Sequence, residues 1–240
     1  MDEYSEIIQP QEPSHLWSEW TEVSLIAARG DRQVYRGKRY GRWFILKTYQ
    51  QQSVEYHQLL AKEFALGVSL DHPNIVRTLT YESVPDIGEC IVMEYIDGCT
   101  LSDFIATRPD RNMRRRLAQQ LIDALSYLHS HQIVHGDLKP SNILITHNGN
   151  NLKLIDFGLS TADDSAYAKR EVREDIVAYG CILKLLRTPY LYIRKRCARE
   201  GYTSCEQVQR AMQKADTLCR WWPLGLGIIC LLMASGPSLF

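Results

Sequence analysis

The chain has 240 residues, with 28 basic and 28 acidic side chains and a formal net charge of zero. That length holds one large domain or two lobes, and the balanced charge carries no bias towards polyanions, so nucleic acid is not an expected partner. Seven cysteines without metal-type spacing read as reduced thiols of a cytoplasmic protein and exclude a disulfide framework; the polar, acidic residues 1–12 are no secretory signal.

Residues 1–20, with Pro10, Pro13, Trp17 and Trp20, read as an irregular lead-in. Strands are predicted over 21–28 and 33–37, joined by Arg29-Gly30-Asp31-Arg32, and over 43–49, where two-residue alternation puts Ile45 and Lys47 on one face. A lysine on the inner face of a strand is uncommon without a partner. Ser53 is the expected N-cap of a helix over 54–70, apolar at Leu59, Leu60 and Phe64 and carrying Glu63. Two further strands, 76–83 and 89–95, flank Pro85-Asp86-Ile87-Gly88. Pro109-Asp110 marks a stop and a new N-cap. Met113, Leu117, Leu121, Leu125 and Leu128 then give a long amphipathic helix. Arg114, Arg115 and Arg116 sit near its start, where the helix dipole disfavours cations, and read as a solvated surface.

The helix leads to His135-Gly136-Asp137-Leu138-Lys139-Pro140-Ser141-Asn142, and Asp156-Phe157-Gly158 follows. Between them, apolar runs at 143–145 and 152–155 are broken by His147-Asn148-Gly149-Asn150-Asn151, the pattern of a hairpin. A hairpin folds its ends together, so Asp137, Asn142 and Asp156 are expected near one point. Mg²⁺ prefers hard oxygen ligands and takes only one or two carboxylates, the rest being phosphate and water. Asn142 and Asp156 offer those oxygens. Asp137 is placed to accept a proton from an attacking hydroxyl, and Lys139 to offset charge on a transferring phosphate. The stretch resembles the catalytic loop of eukaryotic-type (Hanks-type) protein kinases, and the lysine two residues after the aspartate resembles their serine/threonine branch.

The resemblance implies an α+β, two-lobed protein-kinase-like fold: a small antiparallel sheet lobe with one helix at 21–96, then a reduced, mainly helical lobe at 97–216. It implies ATP as substrate, Mg²⁺ as cofactor and transfer to serine or threonine hydroxyls of a protein substrate. Lys47 would grip the non-transferred phosphates, paired to Glu63, which stands nine residues before His72-Pro73-Asn74-Ile75-Val76. Val34, Ile45 and Leu144 would line the nucleotide site and Met93 would face its back. The carbonyl of Glu94 and the amide of Ile96 would bond adenine. Residues 175–183 resemble the start of the central helix of the large lobe, and residues 192–215 its closing helices, with Ile193, Cys197, Val208 and Met212 in the core.

Several positions depart from the family pattern. Ala27, Arg29 and Arg32 stand where its phosphate loop has glycines, which let backbone N–H groups approach phosphate. No Ala-Pro-Glu lies between Asp156 and Asp175, the region the family uses to hold a peptide substrate. Gly67 and Thr78 replace apolar residues, which predicts looser packing. Two other readings therefore stand beside the enzyme: a pseudokinase scaffold or nucleotide-binding module, and a kinase of a small molecule or lipid headgroup. Residues 221–240 contain no charged side chain. Twenty residues is about the minimum to cross a ~30 Å hydrocarbon core, so this tail reads as a membrane anchor for a kinase domain on the cytoplasmic side.

Gly136 replaces the family's arginine, which pairs with a phosphate on the activation segment. Without that arginine, phosphorylation has little leverage: activity should be equal before and after phosphatase treatment. A large drop on dephosphorylation would show that another cation has taken the arginine's place.

Overall fold

The computed structural model describes residues 20–51, 53–156 and 166–217, over 166–171 the backbone alone. The chain divides into two units, Met1–Asp71 with Arg77–Tyr95, and His72–Val76 with Ile96–Phe240.

In the first unit the alternating segments pair into an antiparallel sheet of five strands: β1 (Thr21–Arg29), β2 (Arg32–Arg39), β3 (Arg42–Tyr49), β4 (Thr78–Val84) and β5 (Gly88–Glu94), in the order β1-β2-β3-β5-β4. Period-two alternation gives the sheet two distinct faces. One packs Leu46, Val84, Cys90 and Val92 against Trp20, Tyr35, Phe44 and Ile87. The other carries Lys47, aligned with Val34 on β2 and Ile91 on β5. Helix α1 (Val54–Val68) starts where Ser53 accepts a hydrogen bond from the Tyr56 amide, and buries Leu60, Glu63 and Gly67.

The second unit is built on helices. Thr100 caps α2 (Leu101–Ala106), and Asp110 caps α3 (Arg111–Ser130) by accepting from the Met113 amide at 2.7 Å. The stripe Leu117, Leu121, Leu125 and Leu128 is fully buried. A three-stranded sheet, β6 (Gly98–Thr100), β7 (Ile143–Thr146) and β8 (Leu152–Leu154), carries the expected hairpin. The segment His72–Val76 belongs to this unit because it bonds along β8: Asn74 Nδ2 donates to Leu152 O at 2.9 Å and the Val76 amide to Leu154 O at 3.0 Å. Then come α4 (Ala166–Leu185), α5 (Leu191–Cys197) and a last helix, α6, over 205–217. Tyr179 of α4, fully buried, donates its hydroxyl to Ala118 O of α3 at 3.0 Å. Ile193, Cys197, Val208 and Met212 are core positions, as expected.

Several expectations are corrected. Helix α1 ends at Val68, not residue 70, and Leu59 points to solvent at 39% exposure, because the buried face runs through Leu60, Glu63 and Gly67. Helix α4 begins at Ala166, so Asp175 lies in its middle; Ala166-Tyr167-Ala168-Lys169-Arg170-Glu171 holds no breaker. Only nine residues separate Asp156 from the start of α4. The three arginines of α3 are anchored, not merely solvated. Arg114 donates to Pro109 O, Arg116 to Gly149 O and Asn150 O, and Arg115 pairs with Asp216 at 2.6 Å. Helix α2 and strand β6 were not foreseen. The lead-in residues 1–19, Phe157, Gly158 and the tail from 218 lie outside the described residues. Among the described residues no helix is long and apolar enough to cross a membrane.

Among the described residues five cysteines are free thiols. Burial pushes Cys90 and Cys197 up to about 12, so they are inert as nucleophiles near neutrality.

Gly67 and Thr78 pack closely: a Cβ on Gly67 would fall 2.4 Å from Thr78 Oγ1. Helix propensity alone favours alanine over glycine by about 1 kcal/mol. Gly67→Ala should nevertheless destabilise by roughly 1–3 kcal/mol through overpacking, with Thr78→Ala restoring much of it. A single variant as stable as the parent in urea unfolding would refute this close packing.

Candidate active site

Lys47 and Glu63 form a salt bridge within the first unit, with side chains only 6% and 10% exposed. The pair is set by two local rules: strand alternation turns Lys47 to the face opposite Leu46, and Glu63 falls one turn from Leu60 and Gly67 on the buried stripe of α1. Glu63 Oε2 is buried without a hydrogen-bond partner among the described residues. Desolvating two charges costs several kcal/mol, so a buried pair is weak evidence of stability. Val34 lies directly across from Lys47, and Ile45 across from Met93, so Val34, Ile45 and Lys47 share one face of the sheet. Glu94 uses its carboxylate locally, accepting from the Arg77 amide at 2.9 Å.

In the second unit the loop after α3 is pinned from below by Asp175, which is 2% exposed. Its carboxylate accepts from the amides of His135 (2.8 Å) and Gly136 (3.0 Å) and bonds His129 Nε2 at 2.9 Å. Gly136 adopts φ +74°, a conformation that glycine alone takes without strain. The His135 ring then ties the loop to the hairpin. Its Nδ1 accepts from the Asp137 amide at 3.3 Å, so the proton sits on Nε2 and is donated to Ile155 O, also at 3.3 Å. Asn142 donates through Nδ2 to Asp137 O (2.9 Å) and Asp137 Oδ2 (3.3 Å), and its own carbonyl accepts from the Ile155 amide at 2.9 Å. Lys139 closes the set with a salt bridge to Asp137 Oδ2.

The structure thus draws Asp137, Lys139 and Asn142 together, and sets Asp156 one residue beyond the Asn142–Ile155 bond. Asp156 adopts φ +55°, uncommon for a non-glycine residue. With its Nδ2 turned to Asp137, Asn142 leaves its Oδ1 for a cation, and Asp156 adds a carboxylate. One amide and one carboxylate oxygen fit Mg²⁺, which keeps phosphate and water as its other ligands. Among the described residues no three His, Cys, Asp or Glu side chains form a metal cage. Leu144 is half-buried, between the fully buried Ile143 and Ile145 that face the core. The Lys139 ammonium bonded to it holds the Asp137 carboxyl below the usual range, and Asn142 acts in the same direction. Asp137 is therefore ionised at neutral pH, as a proton acceptor must be. Asp175 and His129 were not singled out as site residues. An acid at the head of the apolar run Ile176-Val177-Ala178-Tyr179 is the available signal.

Burial is the largest influence on His135 and lowers its pKa, against the carboxylates of Asp175, Asp156 and Asp137. The ring is neutral when folded and regains an ordinary pKa near 6.5 when unfolded. The unfolded chain then binds more protons, so stability is complete above about pH 6.5 and is lost as pH falls below it. His72, also lowered by burial, adds in the same direction. Urea unfolding from pH 7.5 to 5 should show this slope, up to about 1.4 kcal/mol per pH unit for one proton, and His135→Asn should flatten it. An unchanged slope in the variant would assign the effect elsewhere.

Comparison with known proteins agrees with this geometry. The sequence profile of the protein kinase domain matches residues 30–240. The serine/threonine-protein kinase PrkC of Bacillus subtilis is 41% identical over 115 residues, 45% of this chain and 17% of the relative. Mitogen-activated protein kinase kinase SIPKK of Nicotiana tabacum is 34% identical over 165 residues, 64% of this chain and 44% of the relative. CBL-interacting protein kinase 25 of Oryza sativa subsp. japonica is 32% identical over 188 residues, 75% of this chain and 32% of the relative. The chain spans less than half the length of each of these relatives. Among solved structures, Rad53 1-466 in complex with AMP-PNP matches with a TM-score of 0.55 and 24% identity, over 80% of this chain and 56% of that one, which shows the fold. An antiparallel sheet unit with one buried lysine–glutamate pair, a helical unit carrying the His135–Asn142 loop, and a profile match over most of the sequence lead to one conclusion: this chain belongs to the protein kinase family.

Proposed function

We propose that the chain transfers the γ-phosphoryl group of ATP to serine or threonine hydroxyls of proteins. The observation that carries this is the joint presence of the buried Lys47–Glu63 pair and the Asp137–Lys139–Asn142 cluster. The serine/threonine kinases among its relatives and the AMP-PNP of the Rad53 complex support the acceptor and the nucleotide. Asp137, ionised and held by Asn142, accepts the proton of the attacking hydroxyl. Lys139, already bonded to Asp137, turns its charge to the transferred phosphoryl group. Lys47, oriented by Glu63, bonds the phosphates that stay behind. Val34, Ile45 and Leu144 supply apolar surface for adenine, and the backbone of Glu94 and Ile96 its hydrogen bonds. Bound Mg²⁺, held by Asn142 Oδ1 and Asp156, supplies neutralisation of phosphate charge. Asp156's unusual backbone conformation is the kind of local strain that collects at functional sites.

The scaffold reading rests on Ala27, Arg29 and Arg32 in place of glycines. Arg32 is turned to the Tyr49 hydroxyl, at 3.3 Å. The idea of a membrane tether rests on the sequence of residues 221–240 alone.

The deciding experiment is phosphoryl incorporation from labelled ATP into the chain itself and a general protein acceptor. The wild type should label; Asp137→Asn and Lys47→Met should each lose about a hundredfold or more, because such groups act as a unit, and EDTA should abolish the reaction. Labelling that survives in both variants would remove these residues from the chemistry. A wild type stabilised by Mg-ATP yet inert would select the scaffold.

A further inference from the structure

A cleft of about 690 Å³ opens between α5 and α6, and none of the residues assigned to phosphoryl transfer lines it. Ile193, Ala211 and the ring of Tyr192 give it an apolar lining, and Arg196, Arg210 and Lys214 give it three cations; among the described residues no acidic side chain lines it. Tyr192 is 70% exposed and its neighbour Leu191 50%, an uncommon exposure for large apolar side chains on one short helix. The charge is local: residues 187–214 hold seven Lys or Arg against two Asp or Glu, in a chain whose total is balanced.

The cations have no strong internal neutralisation. Arg210 meets Glu206 at 3.3 Å, but both are about 70% exposed, and such a pair is worth little. Arg196 is fixed by Gly201 O, at 3.0 Å, and lies over the Tyr202 ring at 4.6 Å. Lys214 has no partner among the described residues. Asp216 is engaged elsewhere, accepting from the Tyr190 hydroxyl and pairing with Arg115.

We propose that this cleft docks an acidic segment of a protein partner, one apolar or aromatic side chain of which enters between Tyr192, Ile193 and Ala211 while flanking carboxylates meet Arg196, Arg210 and Lys214. A concave apolar slot suits an inserted side chain and not a flat lipid surface, and the chain lacks the overall positive field that gathers nucleic acid. The chain's own residues 221–240 contain no Asp or Glu to meet the three cations. Docking stands apart from phosphoryl transfer, because its readout is binding.

The test uses the full chain and a short fluorescein-labelled peptide in which Glu and Asp flank a central Tyr-Ile pair. Binding should weaken as salt is raised. Arg210→Glu with Lys214→Glu should weaken it about tenfold or more, as reversal of complementary charges does. Ala211→Trp, which fills the slot without changing charge, should weaken it as much, with thermal stability unchanged in both. The proposal is overturned if neither variant alters affinity, or if an all-Glu peptide binds as well as the Tyr-Ile peptide. Preferential binding of heparin or of anionic vesicles through the same three cations would assign the cleft to a different occupant and overturn it too. So would peptide binding that appears only once residues 1–19 are removed, since the chain's own acidic lead would then be the occupant.

Discussion

Asp175 is the group on which the rest of the candidate site depends. A buried carboxylate in the middle of a helix is costly to desolvate, and it persists because three donors converge on it: the amides of His135 and Gly136 and the ring of His129. Two of those donors are consecutive backbone groups. Holding both fixes the direction in which the chain leaves α3, and so fixes where Asp137 stands. The third donor comes from the last turn of α3, so one side chain of α4 ties together a helix end and the loop that follows it. Replacing Asp175 by an apolar residue would leave the buried His135 amide unsatisfied and the part-buried Gly136 amide without its carboxylate, a larger loss than that of an average hydrogen bond.

The remaining polar groups extend that anchorage outwards in steps. His135 passes it to Ile155, Asn142 passes it to both Asp137 and Ile155, and Lys139 meets Asp137 at the exposed end. Most of these bonds involve backbone, so the arrangement is rigid before any ligand arrives, which is what catalysis by positioning requires. The Lys47–Glu63 pair follows a different logic. It is buried, and one oxygen of Glu63 lacks a partner among the described residues. A pair that is neutral or costly for folding is consistent with the phosphate-binding role proposed for the lysine.

Much of this was legible in the sequence because it is written in local chemistry. Asp110 before a leucine stripe, Ser53 before α1, and the Asn-Gly break between two apolar runs each specify an element through neighbouring residues alone. Helix α2 escaped because six residues carry barely two turns of periodicity, although Thr100 and Asp103 form a capping pair at its start. Leu59 and Leu60 are both apolar, yet only Leu60 is buried, because burial follows the angle around the helix and not adjacency. The arginines of α3 looked solvated because their partners, Asp216, Pro109 O and the carbonyls at 149 and 150, lie on other elements or in loops. Asp175 shows the same difficulty most clearly: its role is made entirely of bonds to residues about forty positions or more away.

Gly136 constrains how this loop can be altered. Its amide bonds Asp175 from a backbone of positive φ, a conformation that disfavours any side chain with a Cβ by roughly 1–2 kcal/mol. Grafting a phosphate-sensing guanidinium onto that position would therefore load the hinge of the loop at the very point where it is tethered. Whoever wishes to give this protein an on-switch would do better to build the new contact from a neighbouring segment and leave the bend itself untouched.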